Sequence, residues 1–173
     1  MTLVRSWRND WRIWRWTRQN DLISDVEQQA WFDAQAKDPR IKMYRIDCTA
    51  GSERTAIGVC GFSGLDYANR RAEFSIYLAP AFQQRGLGKV ALSVLLAHGF
   101  ENLGLNVIWG ETFDGNPAAR LFEKVGLVKE GTLRSRYWKD GKWINSHIYG
   151  LTRDEWNTLR SQPLASPAST PSS

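Results

Sequence analysis

The sequence predicts an α/β fold in which helices flank one mixed, mostly antiparallel sheet. Three observations point there. Apolar residues first recur at helical spacing, then switch to short β-branched and aromatic runs. Glycine or proline punctuates nearly every change of period. Lys139-Asp140-Gly141-Lys142 separates two alternating runs in the way a tight hairpin requires.

Taken in order, "VRSWRNDWRIWRW" reads as a helix placing Trp7, Trp11 and Trp14 on one face beside a stripe of Arg8, Arg12 and Arg15. Ser24-x-x-Glu27 is a capping box for a second helix, expected to turn Val26, Ala30 and Trp31 inward and to end near Asp38-Pro39. "IKMYRIDC" and "TAIGVCGFSG" form a hairpin from Lys42 to Ser63. "RRAEFSIYLAP" is a third strand, stopped by Pro80, with Glu73, Ser75 and Tyr77 on one face and Phe74, Ile76 and Leu78 on the other. Leu92, Leu95, Leu96, Gly99 and Leu103 mark the buried stripe of a long helix closed by Gly104. "NVIWGETF" is a strand. In "GNPAARLFEKVG", Asn116 caps a helix, Pro117 opens it and Gly126 lies past its end. "EGTLRSRYW" and "WINSHIYGL" pair across the hairpin turn, and Thr152-x-x-Glu155 caps a last helix through Trp156 and Leu159. Residues 1–160 read as one domain, and "SQPLASPASTPSS" (161–173) as a disordered tail.

Composition bounds the function. The net charge is +5 and the pI about 9.4, with Arg5, Arg8, Arg12, Arg15 and Arg18 crowded at the front, which favours an anionic partner. No run approaches the roughly 18 residues of a membrane span, and the arginine-rich front is unlike an apolar leader, so a cytoplasmic location is expected. Cys48 and Cys60 lack metal-ligand spacing, and His98 and His147 have no companions, so no metal is expected.

One segment carries a specific signal. In "QQRGLGKV", Gly86 and Gly88 sit where a strand end gives way to a helix start, so unpaired amides and the helix dipole face outward beside Arg85 and Lys89. A tight turn ahead of a core helix would use the same residues. A P-loop is excluded because Gln83 stands where it needs glycine and Val90 follows Lys89. A dinucleotide fingerprint is excluded by Ala91.

The pattern that remains, strand, Pro80, Gln83-x-x-Gly86-x-Gly88, helix, strand, Asn116-initiated helix, "EKVGL" and hairpin, resembles the GNAT superfamily of acyl-CoA-dependent N-acyltransferases. "AEFSIYLAPAFQQRGLG" and "NPAARLFEKVGLVKEGTLRSRYWKDGKW" are similar to the branch acting on ribosomal-protein N-termini, spermidine and amino sugars. The resemblance spans about Arg5 to Trp156. It implies splayed central strands with the co-substrate acetyl-CoA between them. Gln83, Gln84, Arg85, Gly86, Leu87, Gly88 and Lys89 would hold its diphosphate, the backbone of Ile76, Tyr77 and Leu78 would pair with its pantetheine arm, and Asn116 would bond that arm. It also implies direct attack by a primary amine, with Glu73 as base and Ser75 on the same face. The position that holds the family's tyrosine acid, beside the cofactor, is Phe122 here, which cannot donate a proton; either the thiolate leaves with help from water, or Tyr137, Tyr77 or Tyr149 substitutes, Tyr137 by preference. The first helices and last hairpin would shape the acceptor pocket through Arg8, Trp11, Trp14 and Trp138, with Arg15, Arg136 and Trp143 nearby. Such groups suit a nucleotide-linked amino sugar or a nucleic acid better than a polycation such as spermidine; a small amine such as an amino sugar, or a protein N-terminus, is the expected acceptor. A nucleic-acid base modifier and a non-catalytic CoA-binding protein stand as the alternatives, and the protein is taken as a monomer or homodimer.

Overall fold

The computed structural model describes residues 2–161; the expected tail lies outside them except for Ser161, which ends the last helix. The chain opens with α1 (Thr2–Asn9), α2 (Trp11–Trp14) and α3 (Asp25–Lys37). Six strands follow, β1 (Lys42–Ala50), β2 (Glu53–Asp66), β3 (Arg71–Leu78), β4 (Val107–Phe113), β5 (Val128–Lys139) and β6 (Lys142–Thr152), interrupted by α4 (Leu87–Ala97) and α5 (Ala118–Lys124) and closed by α6 (Arg153–Ser161). They form one sheet in the order β1-β2-β3-β4-β6-β5, antiparallel except where β3 meets β4.

That parallel junction shapes the molecule. β3 and β4 pair only through Arg71↔Val107, Ala72↔Ile108 and Glu73↔Trp109, although β3 runs on to Leu78 and β4 to Phe113. Beyond Glu73 the strands part, and the sheet opens into a wedge at their C-terminal ends. The Phe74 ring fills the start of this wedge. It lies against Gly110, where an added Cβ would come 2.4 Å from the ring, and packs edge-on against Phe122 at 5.0 Å. A larger residue at 110 would expel that ring.

The sheet is covered on both faces. Phe62, Ala72, Phe74, Ile108 and Leu151 meet Leu92, Leu95, Leu96 and Phe100 from the α4 side. Trp7 and Ile13 close over Val59 and Ala79 from the other. Double coverage is why Ile57–Phe62 is buried at every position instead of at alternate ones.

Four expectations need correction. The arginine- and tryptophan-rich front is two short helices, because the Asp10 carboxylate accepts from the Arg12 N–H and starts a new helix. Trp7 is therefore buried and Trp11 is 60% exposed, so the tryptophans do not form one stripe. In α3 it is Gln28 that is buried, with Trp31 and Gln35 half-buried, while Val26 and Ala30 face outward. The long helix is α-helical only to Ala97, and His98–Asn102 is a π-turn that rolls Gly99 and Phe100 onto the sheet.

The capping and turn readings hold. Ser24 and Glu27 form both bonds of the capping box. Thr152 and Glu155 bond reciprocally. Asn116 Oδ1 accepts from the Ala118 amide at 3.0 Å, and Asp140 and Gly141 both have positive φ, as a two-residue hairpin turn demands.

Candidate active site

Three elements meet at the wedge: the turn after β3, the divergent ends of β3 and β4, and the loop between α2 and α3. The turn begins as Pro80–Phe82 makes a single 3-10 turn and Gln83 reverses the chain, donating its side-chain N–H to the Leu78 carbonyl at 2.9 Å. Gln84 and Gly86 then adopt positive φ, 60° and 77°. Among the described residues, none of the amides from Gln84 to Gly88 meets a protein acceptor. The two glycines differ. A Cβ on Gly86 would enter open space, whereas one on Gly88 would face inward, 3.3 Å from Leu121 Cδ2 and 3.8 Å from Leu78 Cδ1. Gly86 thus supplies the conformation, and Gly88 lets α4 pack closely on α5. With Arg85 and Lys89 at its rim, the turn fits a diphosphate. The Thr112 hydroxyl on β4, buried and without a partner among the described residues, is a further polar atom at the open end of the strands.

On the face of β3 that carries Glu73, Ser75 and Tyr77, a polar network crosses the sheet. Arg18 sends one guanidinium nitrogen to both Glu73 and Glu111, the latter at 2.8 Å, and a second to Glu73 Oε2 at 3.4 Å. The Tyr137 hydroxyl donates to Glu111 Oε2 at 3.1 Å, and the Ser146 hydroxyl donates to Glu111 Oε1. The Glu111 side chain is 7% exposed and that of Glu73 18%. Burial works against the Arg18 charge, but the bond to Glu73 and the charges of Glu73, Tyr137 and Glu111 outweigh it and raise its pKa. Burial raises the Tyr137 hydroxyl, opposed by Arg18 and aided by Glu111. Tyr137 therefore keeps its proton at neutral pH.

Arg18, Glu111 and Ser146 were not among the residues singled out from the sequence. Glu111 left a signal: a carboxylate inside "NVIWGETF", whose other members are apolar, small or hydroxylic, must have partners. Arg18 left none, since it is one of five arginines and its loop has no regular period.

The remaining expected residues separate into groups. Glu73, Ser75 and Tyr137 gather at the network. Tyr77 packs against the cluster of Trp7, Ile13, Val59 and Ala79, where burial pushes its hydroxyl up to about 12 against the pull of the Arg8 charge. Tyr149 is buried and donates to Glu123 at 3.3 Å, and Phe122 is buried between Phe74 and Tyr149. The acceptor residues are not one surface. Arg8 stacks on Trp31, Trp14 lies 4.6 Å from the Lys139 ammonium, Trp11 is stacked by Arg15, and Trp138 pairs edge-on with Trp143 at the hairpin tip. Glu73 is paired with Arg18, not with Arg70 or Arg71 beside it in the sequence. A recess of about 550 Å³ lies at the opposite end of β3 and β4, between Tyr67, Arg70, Leu105 and Arg153. It holds neither the turn nor the carboxylates.

Among the described residues no cluster of metal-ligating side chains occurs, and no helix is long and apolar enough to cross a membrane. A family model described as "Acetyltransferase (GNAT) domain" matches residues 1–128. The uncharacterized N-acetyltransferase YoaA of Bacillus subtilis is 33% identical over 98 residues, 56% of this chain and 55% of its own length. The spermidine N(1)-acetyltransferase of Vibrio cholerae is 30% identical over 93 residues, 53% and 54% of the two chains. The chain thus spans about half the length of these curated relatives. A crystal structure of spermidine N-acetyltransferase from Vibrio cholerae, in complex with CoA and spermine, superimposes with a TM-score of 0.85 at 21% identity, over 90% of this chain and 91% of that one. At that identity the likeness speaks for the fold.

Proposed function

From the premise that the chain belongs to the acetyltransferase (GNAT) domain family, we propose that it transfers an acetyl group from acetyl-CoA to a primary amine by direct attack in a ternary complex. The observation that carries this reading is the wedge itself: unpartnered amides of residues 84–88 lie at the end of β3, and the Glu73 carboxylate lies where β3 leaves β4. Gln83 to Lys89 hold the diphosphate, the exposed backbone edge of Ile76 to Leu78 takes the pantetheine arm as an added strand, and Asn116 borders it at the start of α5. Bound acetyl-CoA supplies an activated carbonyl and a thiolate leaving group.

The remaining chemistry falls to this chain. An alkyl ammonium has a pKa near that of lysine, about 10.4, so at neutral pH it must lose a proton before it can attack. Glu73 receives that proton, directly or through a water held by Ser75 on the same face. It suits the task better than Glu111, because Glu73 is the more exposed of the two and has Arg18 as its one partner among the described residues, whereas Glu111 is held by Arg18, Tyr137 and Ser146. Tyr137, with its proton held by burial and directed at Glu111, positions that carboxylate and is a poor acid for a thiolate. Phe122 belongs to the core, and the thiolate takes its proton from solvent. The reaction is placed in the cytoplasm, where acetyl-CoA is made and used.

Release of free thiol from acetyl-CoA over a panel of amines tests the activity. Glu73→Gln should lower kcat by about 10²- to 10⁴-fold while the acetyl-CoA Kd stays within about threefold. Acetyl-CoA binding with no thiol release from any amine would leave a CoA-binding protein without catalysis.

A further inference from the structure

We propose that Arg18 sets the charge of the acceptor site and so selects a primary amine with a single positive charge over a polyamine. This rests on the acetyltransferase reading above and adds the substrate class.

The two carboxylates at the mouth of the wedge carry two negative charges, and one guanidinium already bridges them, bonded to Glu73 and 2.8 Å from Glu111. One net negative charge remains. That matches one incoming ammonium and leaves nothing for a second. Guanidinium suits such a bridge: its planar fork serves two oxygens at once, and it stays charged at any pH the protein survives.

Arg18 is also held in place. Its loop is tied to α1, where Asn9 donates to the Ile23 carbonyl at 2.8 Å and accepts from the Ile23 amide at 2.9 Å. It is tied again across the sheet, where the Lys139 ammonium donates to the Gln19 carbonyl. An arginine on a loop pinned at both sides is a fixed part of the site. One further cation acts in the same direction: Lys139 bonds the carbonyl of Gln19, the residue after Arg18. A polyamine entering here brings its second and third charges against Arg18 and Lys139.

The test compares matched amines with acetyl-CoA as donor. For the wild-type protein, kcat/KM for butylamine should exceed that for 1,4-diaminobutane by tenfold or more; an equal or higher value for the diamine overturns the proposal. Arg18→Gln should shift the ratio toward the diamine and spermidine by at least tenfold, Arg18→Lys should keep the wild-type ratio, and the acetyl-CoA Kd should stay within about threefold in both. If Arg18→Gln lowers all amines alike, Arg18 is structural and the proposal fails while the activity stands. Calorimetric titration of spermidine into the CoA-loaded protein reads the same preference without turnover: tighter binding to Arg18→Gln than to wild type is expected, and equal binding overturns the proposal even if no amine is acetylated.

Discussion

Gly86 and Gly88 look equivalent in the sequence and are not. Gly86 has φ of 77°, a region that costs other L-residues roughly 1–2 kcal/mol, and its missing Cβ faces open space. Gly88 has ordinary helical geometry and an inward-facing hydrogen, opposed by the movable end of Leu121. Gly86→Val should therefore weaken acetyl-CoA binding at least tenfold by calorimetry, whereas Gly88→Ala should change it less than threefold and leave stability within about 1 kcal/mol. Equal losses at both positions would mean that the turn grips its ligand by some means other than the Gly86 conformation. A second residue-scale consequence concerns Cys60. Burial pushes its thiol up to about 11 from 9.0, so the folded protein holds a proton that the unfolded chain releases sooner. The sign follows: this contribution is intact below about pH 9 and is lost as the pH rises through 11, amounting to about 2 kcal/mol. Urea unfolding between pH 8 and 11 should show a steeper alkaline loss for wild type than for Cys60→Ala, and parallel curves would exclude the thiol as its source.

Elements whose signals are local were legible in the sequence. Ser24 with Glu27, Thr152 with Glu155, Asn116 ahead of Pro117, and Asp140-Gly141 each specify a terminus or turn within four residues, and each forms as read. The failures come where tertiary contact overrides periodicity. The spacing of Trp7, Trp11 and Trp14 fits one helix, but Asp10 competes for the Arg12 amide and the helix restarts, turning Trp11 into solvent. In α3 the periodicity of Val26, Ala30 and Trp31 is real, yet the helix contacts the protein through Gln28 and Trp31, leaving Val26 and Phe32 exposed. The π-turn after Ala97 has no sequence marker beyond Gly99, which allows close approach to the sheet without requiring it. The same division runs through the site. The turn and Glu73 lie on elements with strong local signals, whereas Arg18, Glu111 and Ser146 meet only after three distant segments have folded.

At the scale of the molecule, the carboxylate end of the wedge is built from segments far apart in the chain. Lys139, in the last hairpin, lies 120 residues from Gln19, yet its ammonium donates to the Gln19 carbonyl and sits 4.6 Å from the Trp14 ring. Arg18, the neighbour of Gln19, then reaches 55 residues onward to Glu73 in the central sheet. The tie between the hairpin and the front loop thus helps to hold the residue that bonds both carboxylates, while the glycine turn after β3 is anchored independently by Gln83 and α4. The two halves of the site should respond separately. Lys139→Met keeps the aliphatic stem but removes the charge-assisted bond, leaving the Gln19 carbonyl short of a partner at a cost of about 1–2 kcal/mol. In a domain of this size that lowers Tm by a few degrees, about 2–4 °C per kcal/mol. The expected kinetic result is a severalfold rise in KM for the amine, with the acetyl-CoA Kd unchanged, because only the acceptor loop is loosened. A matched loss of affinity for both substrates would instead show that the hairpin tie supports the whole wedge, and that the acceptor and donor halves are mechanically one.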